Sequence, residues 1–115
     1  VNTQFLRQTE RQFQRAVVEY AQLRGWMVYH TFDSRRSNAG FPDLVLVRRG
    51  HLVVAELKSE KGRVSPDQLR WLDALGEVEH ATVAHVAGLG GVVYPAVEVH
   101  VWRPSDWSWV RMVLG

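Results

Sequence analysis

Three charged residues end two neighbouring apolar runs. Asp43 opens the run Asp43–Val47, Glu56 and Lys58 finish the run Leu52–Lys58, and Arg48-Arg49-Gly50-His51 separates them. Two apolar, β-branched runs around a short Gly-containing turn predict a β-hairpin. With a two- or four-residue loop, Asp43 falls directly opposite Glu56, and Lys58 projects from the same face because side chains alternate along a strand. A three-residue loop with a bulge at Gly50 shifts that pairing. The other pairs on this face are Val45 with Val54 and Val47 with Leu52, so the face is polar only at its acidic end. Adjacent carboxylates repel, and burial raises the cost of holding both ionised. A divalent cation removes both penalties, and a donor set of oxygens favours Mg²⁺ or Mn²⁺ over zinc. A lysine beside such an ion can position or deprotonate water, which is the equipment for metal-assisted hydrolysis of a phosphodiester. The plainer alternative is an ion pair of Lys58 with one acid at a strand end. Three groups converging from two apolar strands favour the site.

Two further residues are placed to join them. Glu10 shares a helical face with Phe13, Val17, Tyr20 and Ala21, one turn before the first of them. That position suits an acid turned toward the carboxylates and equally an acid on the helix dipole. Gln68 follows Ser65-Pro66-Asp67, a helix start with Ser as N-cap, Pro at the first position and Gln at the third. Gln68 also shares a stripe with Leu72 and Leu75. Capping and reaching the acids are therefore two roles competing for one side chain.

The elements that must carry these residues follow from periodicity. A helix is expected from about Thr9 to Arg24, ended by Gly25, then a strand over Trp26–Phe32 and the hairpin. The second helix is expected to stop at Gly76, followed by strands at Ala81–Ala87 and Val97–Trp102 and a short helix over Ser105–Leu114. Loops are expected at Ser34–Gly40, Ser59–Val64 and Gly88–Pro95. Both hairpin strands are apolar on both faces, as in the middle of a covered sheet. The fold class is α/β, with a central mixed sheet flanked by helices. With 115 residues, 46% of them hydrophobic and 23% charged, one soluble domain with a real core is expected. There is no cysteine, which excludes disulfide frameworks, zinc ribbons, thiol catalysis and iron–sulfur clusters. No signal peptide or membrane-spanning run is read in the chain. Fourteen Lys and Arg against twelve Asp and Glu give a net charge of only +2, so any nucleic-acid surface must be local.

Gly40-Phe41-Pro42-Asp43, Glu56-Leu57-Lys58 and Ser65-x-x-Gln68, behind a helix with an early Glu and Gly25-Trp26, resemble the PD-(D/E)xK nuclease superfamily. More narrowly they resemble its virus-type replication-repair nuclease (VRR-NUC) domain, over about residues 9 to 76 and more weakly to 102. The resemblance implies a restriction-endonuclease-like αβββαβ core within a single domain over 1–115, with a core at about 9–102 and a tail at about 103–115. It implies a Mg²⁺- or Mn²⁺-dependent deoxyribonuclease that hydrolyses phosphodiesters, often at branched structures. Asp43, Glu56, Glu10 and the carbonyl of Leu57 would bind metal, Lys58 would orient and activate water, and Gln68 would position Lys58 or a phosphate. Stand-alone members of phage and bacteria are similar to Holliday-junction resolvases and act as homodimers on junction DNA, which implies a cytoplasmic, DNA-repair setting. The rival readings are a monomeric flap or end-directed nuclease and a non-cleaving DNA-binding module.

Candidate DNA contacts are Arg35 and Arg36 before the Pro-Asp motif, Lys61 and Arg63 after Glu-x-Lys, and Arg11 on a ridge with Arg7 and Arg15. Gly40 and Gly62 would allow close backbone approach. Arg48 and Arg49 lie at the hairpin tip, away from Asp43. His30, at a strand end, is within range of the site. His80-x4-His85 has a zinc-like spacing with no second ligand pair. Of five tryptophans, Trp26 and Trp71 read as core, while Trp102, Trp107 and Trp109 cluster in the tail, either as a dimer contact or packed on the chain's own sheet.

Overall fold

A computed structural model of the chain describes residues 3–31, 38–88 and 96–115, with the side chains of 81–88 excepted. The elements are α1 (Thr3–Leu6), α2 (Glu10–Leu23), β1 (Met27–His30), β2 (Leu44–Arg48), β3 (His51–Leu57), α3 (Pro66–Gly88), β4 (Val97–Trp102), a 3-10 turn (Pro104–Asp106) and α4 (Trp107–Leu114). The sheet order is β1-β2-β3-β4. The first two pairings are antiparallel and β4 runs parallel to β3. A parallel neighbour needs a crossover, and α3 supplies it. This is the mixed, helix-flanked sheet expected from the sequence, with a short additional helix at α1.

α2 begins at a reciprocal cap. The Thr9 hydroxyl accepts from the Gln12 N–H, and the Gln12 carboxamide accepts from the Thr9 N–H. It ends where Gly25, at φ +87°, turns the chain out of the helix. Phe13, Val17 and Ala21 form its buried stripe. They meet Leu44, Leu46, Val53, Ala55 and Leu57 from the sheet, together with Trp26, Trp102 and α4's Val110 and Leu114. Losing a side chain such as Phe13 from this core costs about 3–5 kcal/mol. The hairpin closes through a two-residue turn with Arg49 and Gly50 both at positive φ, so Arg48 pairs with His51 and Leu44 with Ala55. The unbulged register is the one formed.

Three expectations need correction. The second helix does not stop at Gly76, and Ala81–Ala87 is helical, so the strand after α3 is Val97–Trp102. A mid-helix glycine costs only about 1 kcal/mol. Nothing lies within 4 Å of where a Gly76 Cβ would stand, so no close packing ends the helix there. Trp71 is half-buried, packed edge-on against Phe41 outside the core. β2 and β3 are indeed central strands, but Val47, Met27 and Tyr29 share an exposed face at the β1 side, because α3 packs over β4 at the other side. The loops Ser34–Gly40 and Gly88–Pro95 fall largely, and Phe32 with Arg35 and Arg36 wholly, outside the described residues.

Candidate active site

The hairpin register brings Asp43 to Glu56. The Asp43 carbonyl accepts from the Thr31 N–H at 2.8 Å, and the Thr31 hydroxyl donates to the Pro42 carbonyl at 2.5 Å, tying the start of β2 to the end of β1. Asp43 Oδ2 accepts the Leu57 N–H at 2.8 Å, which orients the carboxylate across the strand pair. Glu56 is 1% exposed and Lys58 8%. Lys58 Nζ lies 3.9 Å from Glu56 Oε1, and the Lys58 N–H donates to the Trp102 carbonyl at 3.0 Å, fixing its backbone on β4.

Gln68 does both things its position suggested, with opposite ends of one amide. Its Oε1 accepts from the Ser65 N–H at 2.8 Å while the Ser65 hydroxyl accepts from the Gln68 N–H at 3.2 Å, completing the cap. Its Nε2 donates to Glu56 Oε1 at 3.2 Å. Capping and reaching the acids therefore do not compete. Gly40 makes this meeting possible. It stands at φ +87°, and a Cβ on it would lie 2.4 Å from the Asp67 carbonyl carbon and 2.7 Å from the Gln68 nitrogen. The glycine before the Pro-Asp motif thus packs on the first turn of α3. Gly62 approaches Lys58, where a Cβ would lie 3.5 Å from Lys58 Cδ and 3.0 Å from Ser59 Oγ.

Glu10 reaches the same place from the first residue of α2. One oxygen each of Glu10, Asp43 and Glu56 lie within 4.8 Å of one another. Oxygens on opposite sides of a Mg²⁺ ion, each at about 2.1 Å, are about 4.2 Å apart, so the cluster is close to the size such an ion needs. Glu56 Oε2 is buried without a hydrogen-bond partner. Its near neighbour, the Asp43 carboxylate, is an acceptor as well. Only a proton or a cation can join two facing acceptors. Without a cation, burial first, then hydrogen bonding with Asp43 and its charge, push Glu56 up to about 9, with Lys58 opposing. Burial and then Asp43 also raise Glu10. An orphaned buried oxygen among three acids is a set that a divalent cation satisfies.

The other candidates scatter. Arg11 and Arg15 line a cavity of about 290 Å³ with Gln14 and His30, and His30 packs on Gln14 and not on the acids. Lys61 lines a separate groove beside Ser59, and Arg63 is exposed after it. In the tail, Trp102 is core and Trp107 packs against Phe5 and Tyr20, while Trp109 stays 50% exposed. Arg103 was not singled out in the sequence. Its Nη1 donates to the Gly62 carbonyl at 2.7 Å and the Ser59 carbonyl at 2.8 Å, holding the loop after Glu-x-Lys. No local pattern marks an arginine whose acceptors are backbone atoms more than forty positions away.

The α/β sheet gathers Pro-Asp, Glu-x-Lys and a helix-borne Glu at one end, the pattern of the PD-(D/E)xK superfamily. Residues 1–88 match the VRR-NUC domain, and the chain belongs to that family. Asp43, Glu56, Lys58, Glu10 and Gln68 all lie inside the matched stretch. No curated protein and no solved structure matches the chain. The family is one of nucleases, which generally use divalent metals. Among the described residues, no helix is long and apolar enough to cross a membrane.

Proposed function

We propose that the chain is a Mg²⁺- or Mn²⁺-dependent, structure-selective DNA endonuclease that hydrolyses phosphodiesters in branched DNA, in the manner of a Holliday-junction resolvase. The observation that carries this reading is the buried Glu56, with one oxygen unpartnered, facing Asp43 and Glu10 beside Lys58. Asp43, Glu56, Glu10 and the Leu57 carbonyl would hold the ion. The ion would supply positive charge to the phosphate and acidity to water.

The chain's own groups do the rest. The Leu57 N–H occupies Asp43 Oδ2 and leaves the second oxygen for the cation. Gln68 and Lys58 both address Glu56 Oε1, which leaves Oε2 for it. The Lys58 ammonium, at the edge of the acids, holds the attacking water and offsets negative charge on the phosphate. The new bond is from water oxygen to phosphorus, and the bond to the sugar oxygen breaks. The proton given up by the water passes to solvent and the departing sugar oxygen takes one from solvent, so the step adds one water across the phosphorus–oxygen bond. Arg11, Lys61 and Arg63, with Arg35 and Arg36, would hold flanking phosphates.

The reading treats 1–115 as one nuclease domain whose tail is part of it, acting in a bacterial or phage-infected cytoplasm. It also takes the enzyme to be a homodimer, since one small domain covers little of a junction. Trp109 and Met112, exposed on α4, are the tail residues left to make such a contact. Cutting the chain after Pro104 would remove the buried Val110 and Leu114, so Trp109→Glu with Met112→Glu is the sounder probe. The testing experiment is a cleavage panel of single strands, flaps, splayed arms and four-way junctions with Mg²⁺, Mn²⁺ or EDTA. Paired symmetric nicks in the junction support the reading. Cutting only at flaps or ends indicates the monomeric nuclease, and binding without cutting indicates the non-cleaving module.

A further inference from the structure

Lys58 carries its charge at the end of a flexible methylene stem. Among the described residues its ammonium donates no hydrogen bond. Glu56 Oε1, 3.9 Å away, attracts it across a gap too long for one. Where the nitrogen stands is therefore left to whatever confines the stem. Gly62 stands against that stem, so close that a Cβ on it would lie 3.5 Å from Lys58 Cδ. Gly62 belongs to an irregular segment between β3 and α3, and no strand or helix fixes its position.

What fixes it comes from beyond the matched residues 1–88. On the near side, the Lys58 N–H donates to the carbonyl of Trp102, a core residue, at 3.0 Å. On the far side the chain turns through residues 59–62, closed by the Gly62 N–H on the Ser59 carbonyl at 3.1 Å. The guanidinium of Arg103 gathers this turn. Its Nη1 donates to the carbonyls of Gly62 at 2.7 Å and Ser59 at 2.8 Å, with that of Glu60 at 3.3 Å. Hydrogen bonds from a charged donor are among the stronger ones, and here they converge on one nitrogen. The Ser105 N–H adds a bond to Glu60 Oε2 at 3.0 Å. Arg103 is itself anchored. Its N–H donates to Asp106 Oδ2 at 2.9 Å, and its carbonyl accepts from the Asp106 N–H at 2.8 Å.

We propose that Arg103 is a positioning residue for the Lys58 ammonium: by clamping the turn at residues 59–62 it keeps Gly62 against the lysine stem and holds the nitrogen at the acid cluster. This role rests on the nuclease reading of that cluster. It makes the segment after β4, outside the matched stretch, a working part of the site. Arg103 acts through Lys58 and touches no reacting atom.

The lysine can be read directly, because the chain has two, the buried Lys58 and the exposed Lys61. Carbon NMR relaxation of their methylenes in the metal-free protein should show Lys58 rigid and Lys61 mobile. Arg103→Ala should bring Lys58 close to the mobility of Lys61. With Mg²⁺ and a four-way junction, single-turnover cleavage by Arg103→Ala should be about 10–100-fold slower at unchanged junction affinity, the scale of a misplaced reacting group. In a Lys58→Ala background the same change should cost almost nothing, since an effect that travels through the lysine ends with it. Arg103→Lys keeps the charge and a donor to the turn, so it should recover part of the rate; it also replaces Arg103→Ala should that variant not fold. Equal losses with and without Lys58, lost affinity at a kept rate, or a Lys58 stem as rigid as in the parent would overturn the positioning and leave the nuclease reading standing. A parent that cleaves no DNA of the panel overturns the nuclease reading, and the lysine signals then decide by themselves whether Arg103 holds Lys58.

Discussion

Arg48 and Glu56 are charged residues on adjacent strands of one hairpin, near opposite ends of it, and they are treated in opposite ways. Arg48 lies with its guanidinium 4.5 Å from the centre of the Trp26 ring and donates to the carbonyls of Arg24 at 2.9 Å and Leu114 at 3.2 Å. Those carbonyls finish α2 and α4, where the helix dipoles favour a cation. Trp26 Nε1 donates to the same Leu114 carbonyl at 2.8 Å. This end is satisfied by the chain itself. Glu56 is more deeply buried, yet one oxygen has no donor and its neighbours are two further acids. A charge completed by its own fold is structural, whereas one left incomplete by its own fold awaits something from outside. That contrast separates the arginine that builds the molecule from the glutamate proposed to hold the ion.

The largest expected effect lies at the incomplete end. Lys58→Ala should lower DNA cleavage by roughly 10²–10⁴-fold, the usual scale for a positioned proton-handling group. Asp43→Asn should do at least as much, with both variants folded by circular dichroism. Cleavage kept at the parent rate in both would place the chemistry elsewhere.

Next comes pH. Glu56 is raised from 4.5 in an ordinary setting to about 9 in the metal-free fold. Between those values the folded chain holds a proton that the unfolded chain has lost. Its stability contribution is therefore present below pH ~4.5 and fades as pH rises through about 9. Metal-free protein should accordingly melt lower at pH 9 than at pH 6, and Mn²⁺ should raise the melting temperature more at pH 9. Glu56→Gln should flatten both trends. A metal-free melting temperature independent of pH in the parent would contradict the buried proton.

At the satisfied end, Arg48→Ala should cost about 2 kcal/mol of stability, read by urea unfolding, through the lost carbonyl hydrogen bonds and the ring contact. Cleavage per folded molecule should hardly change. A selective loss of activity there would erase the contrast between the two ends. The smallest and most discriminating change is Gln68→Glu. It keeps an acceptor for the Ser65 N–H, so α3 should lose less than about 1 kcal/mol, but it removes the donor to Glu56 and adds a fourth acid. Activity should fall well beyond what stability explains, whereas equal small effects on both would make Gln68 a cap alone.

Much of this was legible in the sequence because it is local. Register follows from the turn and the alternation of Val45, Val47, Leu52 and Val54, and the acids follow from register. The Ser65–Gln68 cap is written in four residues. Glu10 was readable only as a choice between two roles, because a helix face does not reveal what stands opposite it. The end of α3 was misread at Gly76, where the glycine penalty is too small to stop a helix. The cost of a Cβ at Gly40 is invisible until Asp67 is placed against it. Arg103 and Arg48 were beyond reach in principle, since their partners are carbonyls supplied by distant turns and helix ends.

The central claim is that Glu10, Asp43 and Glu56 form a divalent-cation site, and calorimetric titration of Mn²⁺ into the metal-free protein at pH 7 tests it most directly. The parent should bind, with a heat that varies with the ionisation enthalpy of the buffer, because the ion displaces the proton held by Glu56. Glu56→Gln should lose most of the affinity and the buffer dependence. Absence of binding in the parent, or binding left intact by Glu56→Gln, would contradict the site.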